Sequence, residues 1–155
     1  MIIGGANVAF INGTGKRLVK RIENALGHLD PIVDCVKAVL PSYWLQKKEK
    51  MVFDPDILEK IVREEKIILV NGNDDYFMIK YCVKKNAYLL TNDKLRNHRG
   101  KEWWTSKHDE WAKTHLLDYE MINDTLLLSE KSERILNQAS LSLQNSDPRL
   151  ELEAE

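Results

Sequence analysis

Two short motifs in this chain bring carboxylates together in a form that can do chemistry: Asn73-Asp74-Asp75 and Asn92-Asp93. Converging carboxylates repel one another and become tolerable around a hard cation, which takes oxygen ligands. A cation such as Mg²⁺ or Mn²⁺ can orient a water as nucleophile and stabilise charge developing on a phosphate. That chemistry needs oxygen ligands and open coordination positions, not a Ser or Cys nucleophile. A third segment, Gly4-Gly5-Ala6-Asn7, lies where a first strand ends and offers Asn7 as a polar side chain. Each motif also has a plainer reading. Asp74 can cap the helix it opens, Asp75 can favour the positive end of that helix, and Asp93 can accept in an Asx-turn. Spacing alone leaves both readings open.

The elements that would position these residues alternate between strand and helix. Met1–Ile3 is a short apolar run ending in a glycine pair, which predicts a buried strand and a tight turn. Residues 16–29 place Leu18, Ile22, Ala25, Leu26 and Leu29 on one helical face, and Asp30-Pro31 stops them. Residues 32–40 are β-branched and apolar and read as a strand. Asp54-Pro55 opens a helix with a buried face of Ile57, Leu58, Ile61 and Val62. The continuous apolar run over residues 66–70 reads as a central parallel strand. A helix over 74–85, a strand over 87–91, a helix near 107–117 and two short strands around Asn123-Asp124 follow. Such alternation argues for βαβ units, hence an α/β domain with a mainly parallel central sheet. In an open parallel sheet, sites form at the carboxyl ends of the strands, and all three polar motifs fall there.

Composition narrows the setting. With 155 residues, 43% hydrophobic and 30% charged, the chain suits one domain that is neither disordered nor membranous. The N-terminal residues lack the basic flank and long apolar stretch of a secretory signal. Cys35 and Cys82 both lie in apolar-patterned segments without a CxxC neighbour, so two buried, reduced thiols and an intracellular location, cytoplasmic or nuclear, are expected. The net charge of −1 does not announce a nucleic-acid ligand, but basic residues cluster at 16–21, 47–50 and 94–101 while acid gathers in the C-terminal tail. Any one of these runs can equally be a solvated surface.

The segments IIGGANVAF, VKAVLPSYW, NDDYFMIKYCVKKNAYLLTNDKLRNH and INDTLLL resemble, in order, the PIN-like NYN domain of Regnase-type (CCCH zinc-finger, Zc3h12-like) ribonucleases. The likeness runs over roughly residues 1–128 and is most specific over 73–98. It implies a three-layer αβα PIN/NYN fold over 1–128, with residues 129–155 left as a C-terminal helix and acidic tail. It further implies a Mg²⁺- or Mn²⁺-dependent endoribonuclease acting on single-stranded or loop RNA. Asp74, Asp75 and Asp93 would be its catalytic and metal-binding residues, with Gly4, Asn7 and Asn92 lining the site. Family relatives often dimerise, so a homodimer or a protein partner is a further expectation.

The sequence departs from the family where it matters most. The family's first strand ends in Asp-Gly-Ser-Asn, whereas this chain has Gly4-Gly5-Ala6-Asn7, so the first carboxylate is absent. A second acidic position, shortly after the ND motif, is Asn97 here. Each loss removes a charge and should weaken metal binding, which keeps open a catalytically inactive RNA-binding or protein-interaction module. RNA would be met by Lys16 and Arg17 at the first helix and by Lys94, Arg96, Arg99 and Lys101 after the ND motif. Trp103-Trp104 could stack bases or pack beneath the loop. Asp124 reads as a turn residue, and His108 and His115 as surface or packing residues.

Overall fold

The structure is a computed structural model that describes residues 1–46 and 51–145; the basic cluster at 47–50 and the tail after 145 lie outside the described residues. In chain order the elements are β1 (Ile2–Gly4), α1 (Gly5–Ala9), β2 (Arg17–Leu18), α2 (Val19–Leu29), β3 (Lys37–Pro41), a 3₁₀ turn (Ser42–Leu45), β4 (Val52–Phe53) and α3 (Pro55–Arg63). Then come β5 (Ile67–Val70), α4 (Asp74–Lys85), β6 (Leu89–Leu90), α5 (Arg96–Arg99), α6 (Ser106–His115), β7 (Leu116–Leu117), β8 (Tyr119–Ile122), β9 (Thr125–Leu128) and α7 (Glu130–Asn145).

Five strands pair in parallel in the order β5-β3-β1-β6-β7. Alternation along each strand divides the core into two layers, because successive side chains point to opposite faces. Ile3, Ala38, Leu40 and Leu90 face one cluster, with α1, α2 and α3. Ile2, Val39 and Leu89 face the other, with Met78, Ile79 and Cys82 of α4 and Trp111 of α6. The result is the expected αβα sandwich. The β8–β9 hairpin and Leu136 of α7 close over the first layer.

The positions of several elements differ from the sequence expectation. The apolar strand β5 lies at the edge of the sheet, and the central strand is the short β1. A strand covered by helices on both faces is apolar whether it is central or marginal, so composition does not tell the two apart. The strand expected over residues 32–40 starts only at Lys37, after turns. The glycine pair makes no separate turn, since Gly5 opens α1 directly. A Cβ on Gly5 would sit 2.7 Å from Leu40 Cδ2 and 2.8 Å from the Val39 carbonyl oxygen, so glycine lets α1 lie against β3. The helix expected over 107–117 ends at His115, and its last two residues form the fifth strand, β7. Cys82 is buried as expected, but Cys35 is exposed in the turns before β3.

Candidate active site

The strand order reverses beside β1. From it the chain moves outward through β3 to β5, then returns to the other side for β6 and β7. Such a switch point leaves a crevice outside the carboxyl ends of the strands. Gly4 ends β1 and Asp93 follows β6, so both stand at this crevice. The helix α4 begins at its mouth with Asp74 and Asp75 in its first turn. Together with Asn7 and Thr91 these residues line a cleft of about 340 Å³, which Phe10, Arg17, Tyr43 and Trp44 also line.

The plainer readings of the three aspartates divide. Asn73, not Asp74, caps α4, its side chain accepting from the Tyr76 N–H at 3.1 Å. That leaves both Asp74 and Asp75 uncommitted to capping, although the positive end of the helix favours their charge. Asp93 does form the turn, with Oδ1 accepting from the Leu95 N–H at 2.8 Å while its own N–H donates to Thr91 Oγ1 at 3.1 Å. Leu95 takes a left-handed backbone conformation at φ 60°, which the turn fixes. The other carboxylate oxygen of Asp93, Oδ2, has no protein partner among the described residues.

Charge in the cleft is held under tension. Partial burial pushes the Asp75 carboxyl above the ordinary aspartate range, and the neighbouring charges of Asp74 and Asp93 push it further. His98, with Nε2 at 3.9 Å from Asp75 Oδ2, opposes that rise. No three His, Cys, Asp or Glu side chains among the described residues stand close enough together to hold a metal ion. The oxygen-only donor set nonetheless suits a hard cation in kind, because mutual repulsion of this sort is what a divalent ion relieves.

A hydrogen-bond network fixes the floor. Asn7 Oδ1 accepts from the Asn92 N–H at 3.0 Å and from the Tyr119 hydroxyl. Asn92 in turn exchanges two bonds with the Tyr119 backbone, Nδ2 donating to the carbonyl at 2.9 Å and Oδ1 accepting from the N–H at 3.0 Å. Thus α1, the end of β6 and β8 are locked together. Burial raises the Tyr119 hydroxyl pKa, keeping it a neutral donor.

The Zc3h12a-like ribonuclease NYN domain matches this chain over residues 1–141. The chain belongs to that family. Two solved structures of nuclear protein-only RNase P 2 from Arabidopsis thaliana share the NYN fold, with TM-scores of 0.66 and 0.64 at 18% and 19% identity. Each match covers 84% of this chain but only 29% of the RNase P chain. No curated protein sequence matches significantly.

The NYN fold distributes the expected RNA-facing residues unevenly. Arg17 lines the cleft, stacking its guanidinium over Trp44 at 5.4 Å. Lys16 lies over the Phe53 ring at 5.6 Å. Lys94, Arg96 and Arg99 line a second cavity beyond Asp93, and Asn97 lies beside Arg96 in a shallower depression. Lys101 lines neither the cleft nor these cavities. Trp103 packs with Tyr76, His98 and Trp104, and both tryptophans pack with His108 while staying half-buried. His108 completes a capping box with Thr105, His115 stacks on Tyr88, and Asp124 sits in the β8–β9 turn paired with Arg21 at 3.1 Å. Sequence reasoning missed Phe10 and Tyr43, exposed aromatics on the cleft wall. Their proximity to the basic cluster was the available signal.

Proposed function

We propose that this domain cleaves single-stranded or loop RNA at the cleft between β1 and β6, using a divalent cation at a site with two carboxylates fewer than its family. The observation that carries the reading is that Asp74, Asp75 and Asp93 line one cleft at the switch point of a ribonuclease-family fold. Asp74, Asp75 and Asp93 would hold Mg²⁺ or Mn²⁺, which when bound supplies an activated water and charge stabilisation at phosphorus. Arg17 lines the same cleft as these carboxylates and supplies positive charge there for a phosphate. Phe10 and Tyr43 offer stacking faces in that cleft. Asn7 orders the Asn92 backbone and so the approach of Asp93.

Labelled single-stranded RNA incubated with Mg²⁺ or Mn²⁺ tests the reading on the unaltered chain, Asp93→Asn and Gly4→Asp. Slow metal-dependent cleavage, lost in Asp93→Asn and raised in Gly4→Asp, is expected. Absence of metal-dependent cleavage even in Gly4→Asp overturns it. One observation favours a second reading, a binding module without turnover: no trio of ligating side chains is gathered among the described residues. That reading expects salt-sensitive RNA binding with no product, and fails if the unaltered chain cuts RNA in an Asp93-dependent way.

A further inference from the structure

A second cavity is larger than the aspartate cleft. It lies on the other side of Asp93, between the ends of β6 and β7, α5, α6 and the start of α7, with a volume of about 680 Å³. That size falls in the range of small-ligand sites, roughly 300–1,000 Å³. Its rim carries five cations, Lys94, Arg96, Arg99, Lys113 and Lys131, against two carboxylates, Asp93 and Asp118. The excess of positive charge favours an anion. Arg99 is partly committed, donating to the Lys94 carbonyl and lying over Trp104. Arg96, Lys113 and Lys131 are exposed, with no ion pair among the described residues. Beneath them, Ala112, Leu116 and Leu117 give the cavity an apolar floor.

An apolar floor under a cationic rim suits a base and its phosphate. The decisive feature is the wall the two cavities share: Thr91 and Asp93 line both. A polymer with its phosphate beside Asp93 can therefore place a neighbouring unit in the second cavity. Asp118 offsets part of the rim's charge, Lys131 being one of the groups that favour its ionised form, but five cations against two carboxylates still leave an excess of positive charge. The hydroxyls of Ser129 and Ser132 donate to it and hold its pKa below the usual carboxylate range, so its oxygen is already engaged by protein donors while its charge remains.

We propose that this cavity is a nucleotide subsite, taking the RNA nucleotide next to the one whose phosphate lies in the aspartate cleft, with Lys113 and Lys131 as its phosphate contacts. The proposal rests on the RNA-cleaving reading but names residues outside the carboxylate site. It makes α6 and α7 part of the RNA path, which therefore crosses the end of β6 in place of following the first helix alone.

The test measures binding of a fluorescein-labelled oligouridylate by the full chain in EDTA, so that turnover does not enter. Lys113→Glu and Lys131→Glu are compared with Lys107→Glu, which makes the same charge change on α6 but lines a separate small cavity with Val83 and Trp111. Circular dichroism and thermal unfolding verify that each variant is folded. The expected result is at least tenfold weaker binding for each of the first two, a smaller salt slope, and no more than about a twofold change for Lys107→Glu. Equal effects at all three positions overturn the subsite. If Arg17→Glu weakens binding while Lys113→Glu and Lys131→Glu do not, the subsite falls and the cleft reading stands. Failure of the unaltered chain to bind the oligomer sinks both. Polyglutamate bound as tightly as the oligomer would mark a general anion site and overturn the nucleotide assignment. Uridine monophosphate bound more tightly than the oligomer would mark a free-nucleotide site and overturn the strand assignment.

Discussion

Replacing the two adjacent glycines separately should have opposite consequences, and the contrast tests whether a carboxylate can be placed at the end of β1. Gly4 has φ −70°, a conformation open to any residue, and a Cβ there would meet Leu90 O and Thr91 Cβ at 3.4 Å, ordinary contact distances. Gly4→Ala should change stability by less than about 1 kcal/mol, with a small gain from a less flexible unfolded chain. At Gly5 the same methyl group falls 2.7 Å from Leu40 Cδ2 and 2.8 Å from the Val39 carbonyl oxygen. Leu40 can rotate aside, but the carbonyl belongs to β3 and moves only with the strand. Overpacking of this kind costs about 1–3 kcal/mol, against a helix-propensity gain of up to about 1 kcal/mol over glycine. A net loss of about 1–2 kcal/mol lowers the melting temperature by roughly 2–4 °C per kcal/mol in a domain of this size. Urea titration of the three proteins reads the difference directly. Equal stability of Gly5→Ala and the unaltered chain, or equal damage at both positions, would refute the steric reasoning and with it the premise that Gly4→Asp restores a carboxylate without disturbing the fold.

Three other outcomes follow from the site. Burial pushes the Cys82 thiol up to about 12, while Cys35 is exposed, so iodoacetamide should add one adduct to the native protein and two after denaturation; two rapid adducts in the native state would contradict the packing. Asp75 has a folded pKa above its unfolded one, so its ionisation opposes folding: the penalty is absent below the unfolded value, grows through the window between the two, and is complete above the folded value. Asp75→Asn should therefore melt higher than the unaltered chain at neutral pH, with the advantage shrinking in acid, and a lower melting point at neutral pH would disprove it. In the floor network, Tyr119→Phe removes one donor and should cost about 0.5–1.5 kcal/mol, whereas Asn7→Ala strands two donors and should cost about 1–3 kcal/mol; a double-mutant cycle with no coupling would refute the shared acceptor.

Legibility of the fold in the sequence followed how local the determinants were. The bounds of α4 match expectation because Asn73 caps it, Asn86 ends it in a left-handed conformation, and Met78 and Cys82 mark its buried face. The β8–β9 hairpin was equally readable, since Asn123 and Asp124 both take positive φ in the tight turn. The three aspartates could be assigned to one edge because each follows an apolar strand. The two-residue strands β2, β4 and β7 carry no periodicity of their own and exist through pairing partners distant in sequence. The exposed state of Cys35 depended on where β3 starts, which the β-branched run before it disguised. The second cavity could be read only in part: Lys94, Arg96 and Arg99 stand in one basic run, whereas Lys113 and Lys131 join them only once α6 and α7 fold back beside β6 and β7.

The Asn7–Asn92–Tyr119 network also orders events during synthesis. Its members lie 85 and 112 residues from Asn7 along the chain, so no short segment can build the floor of the cleft. A ribosome that has released the chain as far as Asp93 has delivered every aspartate of the site, yet the side-chain oxygen of Asn7 still lacks its Tyr119 donor and Asn92 lacks both of its bonds to the Tyr119 backbone. The cleft closes only when β8 joins. A nascent chain or a fragment ending before Tyr119 would carry the acidic residues without their alignment, which delays any RNA-directed activity until the domain is nearly complete.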